Sequence, residues 1–160
     1  MLKPEVMKKV AAILLGTAVW LQMTGAADTP KPGDEILGTW HTTDDKSTVE
    51  VFKKNNAYFA KILTLKEPNW PANDEQGMAG KPKNDRKNPK PELRSRAIAG
   101  LEFMNDFTYA GKNKWTDGKI YDPEVGKTYS CKMTLVSANK LEVRGYIGFS
   151  LLGRTVVWTR

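Results

Sequence analysis

The chain has 160 residues, with 25 Lys and Arg against 18 Asp and Glu for a formal net charge of +7, one cysteine and one histidine. One His and one Cys cannot supply the three or four ligands of a usual zinc site, so a metal centre is nearly excluded and none is expected. His41 is the only histidine available to a nucleophilic triad, and beside Trp40 in a strand-like stretch it reads as a surface residue, so no catalysis is expected. No glycine-rich phosphate loop or dinucleotide fingerprint implies a cofactor.

The first residues read as a cleaved secretory signal. Lys3, Lys8 and Lys9 make a basic n-region, Val10 to Met23 is almost wholly apolar, and "TGAAD" supplies small residues for cleavage after Ala26 or Ala27. The apolar run falls short of the roughly 20 residues of a membrane-spanning helix, and no similar run follows, so no membrane span is expected. The mature chain is then expected in the periplasm or outside the cell. Losing residues 1–26 removes three lysines and one glutamate, which leaves a net +5. Residues 81–96, "KPKNDRKNPKPELRSR", carry seven basic and two acidic side chains, so this one segment holds the whole positive excess.

About 134 residues suit one domain that buries about two-thirds of its unfolded surface. After a flexible linker over 27–35, period-two alternation dominates from residue 36 onward. The stretches "TVEVF", "AYFAKILTL", "IAGLEF", "KWT" and "GKIY" read as strands, with Asp117-Gly118 as a two-residue hairpin turn between the last two. "DPEVGK" supplies another turn. In "KTYSCKMTLV", Tyr129, Cys131, Met133 and Leu135 face one way; after the hairpin "SANK", Leu141, Val143, Gly145 and Ile147 repeat the pattern. Cys131 on the apolar face reads as a buried, unreactive thiol. With "RTVVWTR" the count reaches eight or nine antiparallel strands, which means a sandwich or an up-and-down barrel.

A barrel is favoured by "GTW" near the start, with Gly38 and Trp40, and "GRTVVWTR" late in the chain, with Arg154 and Arg160 bracketing Trp158. Closing a barrel brings its first and last strands together, where a guanidinium can stack on an indole. A Gly-x-Trp start with a late Arg resembles lipocalins. Together, "ILGTWHT", "DRKNPKPELRSRAIAG", "GKIYDPEVGKTYS" and "VRGYIGFSLLGRTVVWTR" are similar to the bacterial exported family known as domain of unknown function 2147. The resemblance spans Ile36 to Arg160. It implies an all-β, lipocalin-like barrel over 36–160 with a cavity or cleft, and no established enzymatic activity. It also implies motif roles for Asp85, Asn88, Arg96, Tyr121, Asp122, Pro123 and Gly126, along with the closure residues already named.

Binding is thus the expected class of function. Tyr129, Met133, Leu141, Val143 and Ile147 either line a cavity for a small apolar or amphipathic molecule or simply fill the barrel. Tyr58, Tyr109 and Tyr146 are candidates to ring its mouth. The long connection 66–96 has five prolines and no strand alternation, so it is a lid or a disordered excursion. It lacks aromatic residues from Pro71 to Glu102 on which bases would stack, so nucleic acid is not an expected partner. Either Asp85 pairs with Arg94 or Arg96 and pins the loop over the barrel, or the segment meets an anionic envelope surface. Lys81, Lys83, Lys87 and Lys90 are the side chains free for such a contact.

Overall fold

A computed structural model describes residues 31–160; the expected signal segment 1–26 and the start of the linker lie outside the described residues. Alternating apolar side chains build eight strands: β1 (Gly38–His41), β2 (Ser47–Lys54), β3 (Ala57–Leu65), β4 (Glu102–Gly111), β5 (Lys114–Asp122), β6 (Lys127–Ser137), β7 (Lys140–Tyr146) and β8 (Gly153–Thr159). They close into one antiparallel barrel in chain order. Consecutive connections therefore alternate between its two ends.

Three of these connections are two-residue hairpins at one end. Asn55-Asn56 and Lys112-Asn113 hold positive φ at both positions, the geometry that matches the twist of the flanking strands. Ala138-Asn139 makes the third, as the "SANK" reading expects. The opposite end carries the connections 42–46, 66–101, 123–126 and 147–152.

The expected hairpin at Asp117-Gly118 is not there: both residues lie inside β5, which joins "KWT" and "GKIY" in one strand. Asp117 has a φ of 64°, and pairing with β6 shifts register between Trp115 and Gly118, so this Asp-Gly pair makes a bulge. The Phe107 ring occupies the space a Cβ at Gly118 would need. Only glycine allows that approach.

Residues 31–35, the described part of the expected linker, pack onto the hairpin end instead of trailing free. A short 3₁₀ turn over Asp34–Ile36 presents the Asp34 carboxylate to Lys53 Nζ at 2.6 Å and to the Tyr58 hydroxyl at 2.7 Å. The Lys53 hydrogen bond, then that of Tyr58, holds the Asp34 carboxyl below its ordinary range. Ile36 is fully buried, and its carbonyl accepts the Trp40 indole N–H at 2.8 Å. This turn plugs the barrel floor.

The seam is the weak line of the barrel, because β1 pairs with β8 only at His41 and Thr159. Arg160 reinforces it. Its guanidinium lies 4.2 Å from the centre of the Trp40 ring and donates to the carbonyls of Ala138, Leu37 and Glu35 at 2.8, 3.0 and 2.9 Å. Of the two arginines expected at the closure, Arg160 alone serves there. Arg154 pairs with Gly145 at the other end of β8, six residues and most of a strand away. Replacing Arg160 with Ala is expected to lower the free energy of unfolding by about 1–2 kcal/mol, read from urea denaturation, while Arg160→Lys recovers only part because an ammonium lacks the planar fork.

Candidate functional site

Bulk divides the interior into two levels. Toward the hairpin end, Trp40, Tyr58, Phe107, Trp115, Met133 and Leu141 are buried and pack the floor. Tyr58 and Tyr109 meet Trp115 with ring centres at 6.1 and 5.2 Å. Neither tyrosine reaches the mouth, contrary to the sequence expectation, whereas Tyr146 does line it.

Above this floor lies a cavity of about 1020 Å³, at the upper end of the roughly 300–1,000 Å³ of small-molecule pockets. Ile62, Phe103, Ile120, Val143, Val156 and Trp158 form its apolar walls. Trp158 packs on Phe103 at 6.1 Å between ring centres. Around the rim stand Lys83, Arg86, Lys87, Tyr121 and Arg154. Asp44, Glu67, Asp122 and Glu124 also line it, so the site is an apolar well with a mixed charged edge in which cations exceed anions by two.

The β3–β4 connection forms one side of the rim, and a buried carboxylate fixes it there. Asp85 is fully buried. Its Oδ1 accepts the Tyr121 hydroxyl at 2.6 Å; its Oδ2 accepts Arg96 Nε and Nη2 at 2.8 and 2.7 Å and Asn88 Nδ2 at 2.7 Å. Backbone bonds add to this: Asp85 N donates to the Arg96 carbonyl, and Asn88 N to that of Asp85, both at 2.9 Å. Arg94 instead donates to the Asn88 carbonyl at 2.8 Å. Burial, then the hydrogen bond to Asp85, pushes the Tyr121 hydroxyl up to about 12. Tyr121 therefore stays a neutral donor at any physiological pH, and it ties the loop to β5.

The β5–β6 turn locks the same loop from below. Asp122 Oδ1 accepts the Glu124 N–H at 2.9 Å, and the Asp122 carbonyl accepts that of Gly126 at 2.8 Å. Gly126 has a φ of 72° and sits where a Cβ would overlap the Lys87 carbonyl. The turn needs glycine for both reasons.

Farther out, sequence reasoning missed a second cluster. The Arg86 guanidinium lies 3.4 Å from the centre of the Trp70 ring and donates to Asp74 Oδ1 at 2.6 Å, while Trp70 Nε1 donates to Asn84 Oδ1 at 3.0 Å. Arg86 holds the Asp74 carboxyl below its usual range, helped by the backbone N–H of Met78. Short bridges between Asn69 and Pro82 and between Asn84 and Ala97 complete an ordered arm. The stretch is long and rich in proline, but it is not a disordered excursion. Trp70 was the available signal, lying one residue outside the aromatic-free window.

A family model described as "Uncharacterized protein conserved in bacteria (DUF2147)" matches residues 38–160. The chain belongs to this family. A solved structure titled "Protein HP1028 from the human pathogen Helicobacter pylori belongs to the lipocalin family" is 28% identical, with a TM-score of 0.65, covering 78% of this chain and 82% of that one. Among curated proteins none matches.

In this DUF2147 barrel, Tyr129, Val143 and Ile147 line the cavity, whereas Met133 and Leu141 belong to the floor. Strand alternation places all five on one face but does not say at which height. Lys83 and Lys87 stand on the rim; Lys81 and Lys90 are exposed farther along the loop. His41 is exposed, with Nδ1 at 3.3 Å from Asp45. Among the described residues, no three or more His, Cys, Asp or Glu side chains group as metal ligands, and no helix is long and apolar enough to cross a membrane.

Cys131 is buried, and desolvation pushes its thiol up to about 12. A thiol-reactive disulfide reagent at pH 8 is therefore expected to leave the folded protein unmodified and to label it at once in guanidinium. Asp85→Ala is expected to cost about 3 kcal/mol in denaturant unfolding, the lower end for a broken buried pair because Arg96 reaches solvent.

Proposed function

We propose that this DUF2147 protein is a non-catalytic binding protein of the periplasm or the extracellular space, which holds a small apolar or amphipathic molecule in the upper half of its barrel. The observation that carries this reading is the apolar well above a packed floor. An apolar body buried against Phe103, Val143, Val156 and Trp158 gains about 25 cal/mol per Å² removed from water. A polar or acidic head-group would remain at the rim beside Lys83, Lys87 and Arg154. The lipocalin title of the similar structure supports the same class of function. Export is supported by the basic n-region, apolar run and small-residue exit of the first residues.

A rival reading has the basic 81–96 segment meeting anionic lipid head-groups or polysaccharide. Its support is narrower, because Arg86, Arg94 and Arg96 are engaged within the loop. Lys81, Lys87 and Lys90 remain exposed. Neutralising those three lysines separates the readings: envelope binding would fall under the rival, and ligand capture in the barrel would persist.

Native mass spectrometry of protein purified from its own host is expected to show a bound small molecule. Val156→Trp, which fills the wall opposite Val143 in the β7–β8 pairing, is expected to weaken capture of a fluorescent apolar probe by about tenfold, or 1.4 kcal/mol. A mass spectrum free of ligand, together with unchanged probe affinity in Val156→Trp, would remove the cavity reading.

A further inference from the structure

The β7–β8 connection, residues 147–152, holds the most exposed large apolar side chains among the described residues: Ile147 at 68%, Phe149 at 80%, Leu151 at 89% and Leu152 at 73% relative exposure. An isolated exposed leucine needs no explanation, but four such side chains within six residues make a patch that marks an interaction surface.

The loop is also held in this outward shape. Arg144, on β7, donates from Nε to the Ser150 carbonyl at 2.8 Å, from Nη2 to the Leu151 carbonyl at 3.3 Å and from Nη1 to Thr155 Oγ1 at 2.9 Å. Within the loop, Ile147 N donates to the Leu152 carbonyl at 3.3 Å and Leu152 N to that of Phe149 at 3.0 Å. The carbonyls of Phe149, Ser150, Leu151 and Leu152 are thus all satisfied inside the protein. The N–H groups of Gly148, Phe149, Ser150 and Leu151 have no partner among the described residues. The segment therefore suits the hydrated head-group boundary, where apolar side chains enter and the backbone keeps water, and not the hydrocarbon interior.

The charge around it agrees. Six Lys and Arg side chains (Lys46, Lys66, Lys83, Arg86, Lys87 and Arg154) line the cavity with Ile147 and Leu152, against the four carboxylates of Asp44, Glu67, Asp122 and Glu124. The balance is positive, and Lys66, Lys87 and Arg154 make no ion pair among the described residues. Cations beside an apolar tip favour a surface of anionic lipid.

We propose that the barrel docks mouth-first on an anionic phospholipid surface, with Phe149, Leu151 and Leu152 inserted at the head-group boundary and Arg154, Lys66 and Lys87 against the phosphates. Docking of this kind does not depend on what the cavity holds. It would, however, bring the cavity opening onto the bilayer, so that a lipid-soluble molecule could pass between the two without crossing water.

Co-sedimentation with vesicles tests it. The protein is expected to bind vesicles containing phosphatidylglycerol, to bind phosphatidylcholine vesicles much less, and to release as salt is raised. Phe149→Ser with Leu151→Ser is expected to reduce binding at least about tenfold at an unchanged thermal midpoint, because both side chains are already in solvent. In a second measurement, Phe149→Trp is expected to add tryptophan emission that shifts to the blue and is quenched by brominated lipid. The proposal is overturned by absent vesicle binding, by binding that survives the double substitution, or by equal binding to neutral vesicles. It also fails if sedimentation velocity shows a dimer that the double substitution dissolves, which would make a second copy the occupant of the patch. Probe capture measured on the same double variant keeps failure of docking distinct from failure of the cavity reading.

Discussion

A carboxylate taken out of water with nothing to compensate it costs several kcal/mol, so wherever Asp85 is buried, donors have to follow. Arg96 and Asn88 come from the same connection, and Tyr121 comes from β5. Meeting the carboxylate's needs therefore folds the connection on itself and fastens it to the barrel wall in one step. Long proline-rich segments lack the ladder of hydrogen bonds that orders strands, and this one uses a buried anion in its place. The cavity depends on that choice. Lys83, Arg86 and Lys87 stand on the rim because Asp85 holds the chain between them in place.

A barrel of about eight strands has an interior only wide enough to be filled by side chains or to admit one small ligand. This chain does both, at different heights. Trp40, Trp115, Tyr58 and Phe107 crowd the hairpin end so closely that Gly118 must give its side-chain space to a ring. Toward the mouth, β7 and β8 present Val143, Gly145 and Val156, and the bulk drops away. The packed floor supplies the stability that the open level forgoes, and Arg160 keeps the sparse seam beside that floor closed.

Period-two alternation made β6 readable to within one residue and β7 to within two, and it identified β3 in full. Alternation reports which face a side chain occupies; it carries no information about height along the barrel axis. For that reason Tyr129 and Val143 could not be told apart from Met133 and Leu141, which share their face but lie in the floor. Asp117-Gly118 misled for a different reason. Positive φ suits both a hairpin turn and a bulge, and only the neighbouring Phe107 ring decides which forms. The loop-fixing roles of Asp85, Asn88 and Arg96 were suggested by family resemblance. The stacking of Arg86 on Trp70 was not, because residues so spaced meet only after the arm folds. Nor did alternation distinguish Ile147 as an exposed tip, since it continues the inward pattern of Leu141 and Val143 up to the point where β7 ends at Tyr146.

The basic segment divides largely by residue type, with Lys83, half-buried and 3.6 Å from Glu67, the exception among its lysines. Its arginines are engaged: Arg86 with Asp74 and Trp70, Arg94 with the Asn88 carbonyl, Arg96 with Asp85. Lys81, Lys87 and Lys90 remain exposed. A planar guanidinium with five fixed donors can stack and hydrogen-bond at once, which is what an irregular loop needs for its own order; a compact, strongly hydrated ammonium loses more by being tied down. The local excess of positive charge is therefore two populations in one stretch. One builds the rim, and the other leaves positive charge on the outer face of the loop, with Lys87 alone of the three on the rim itself.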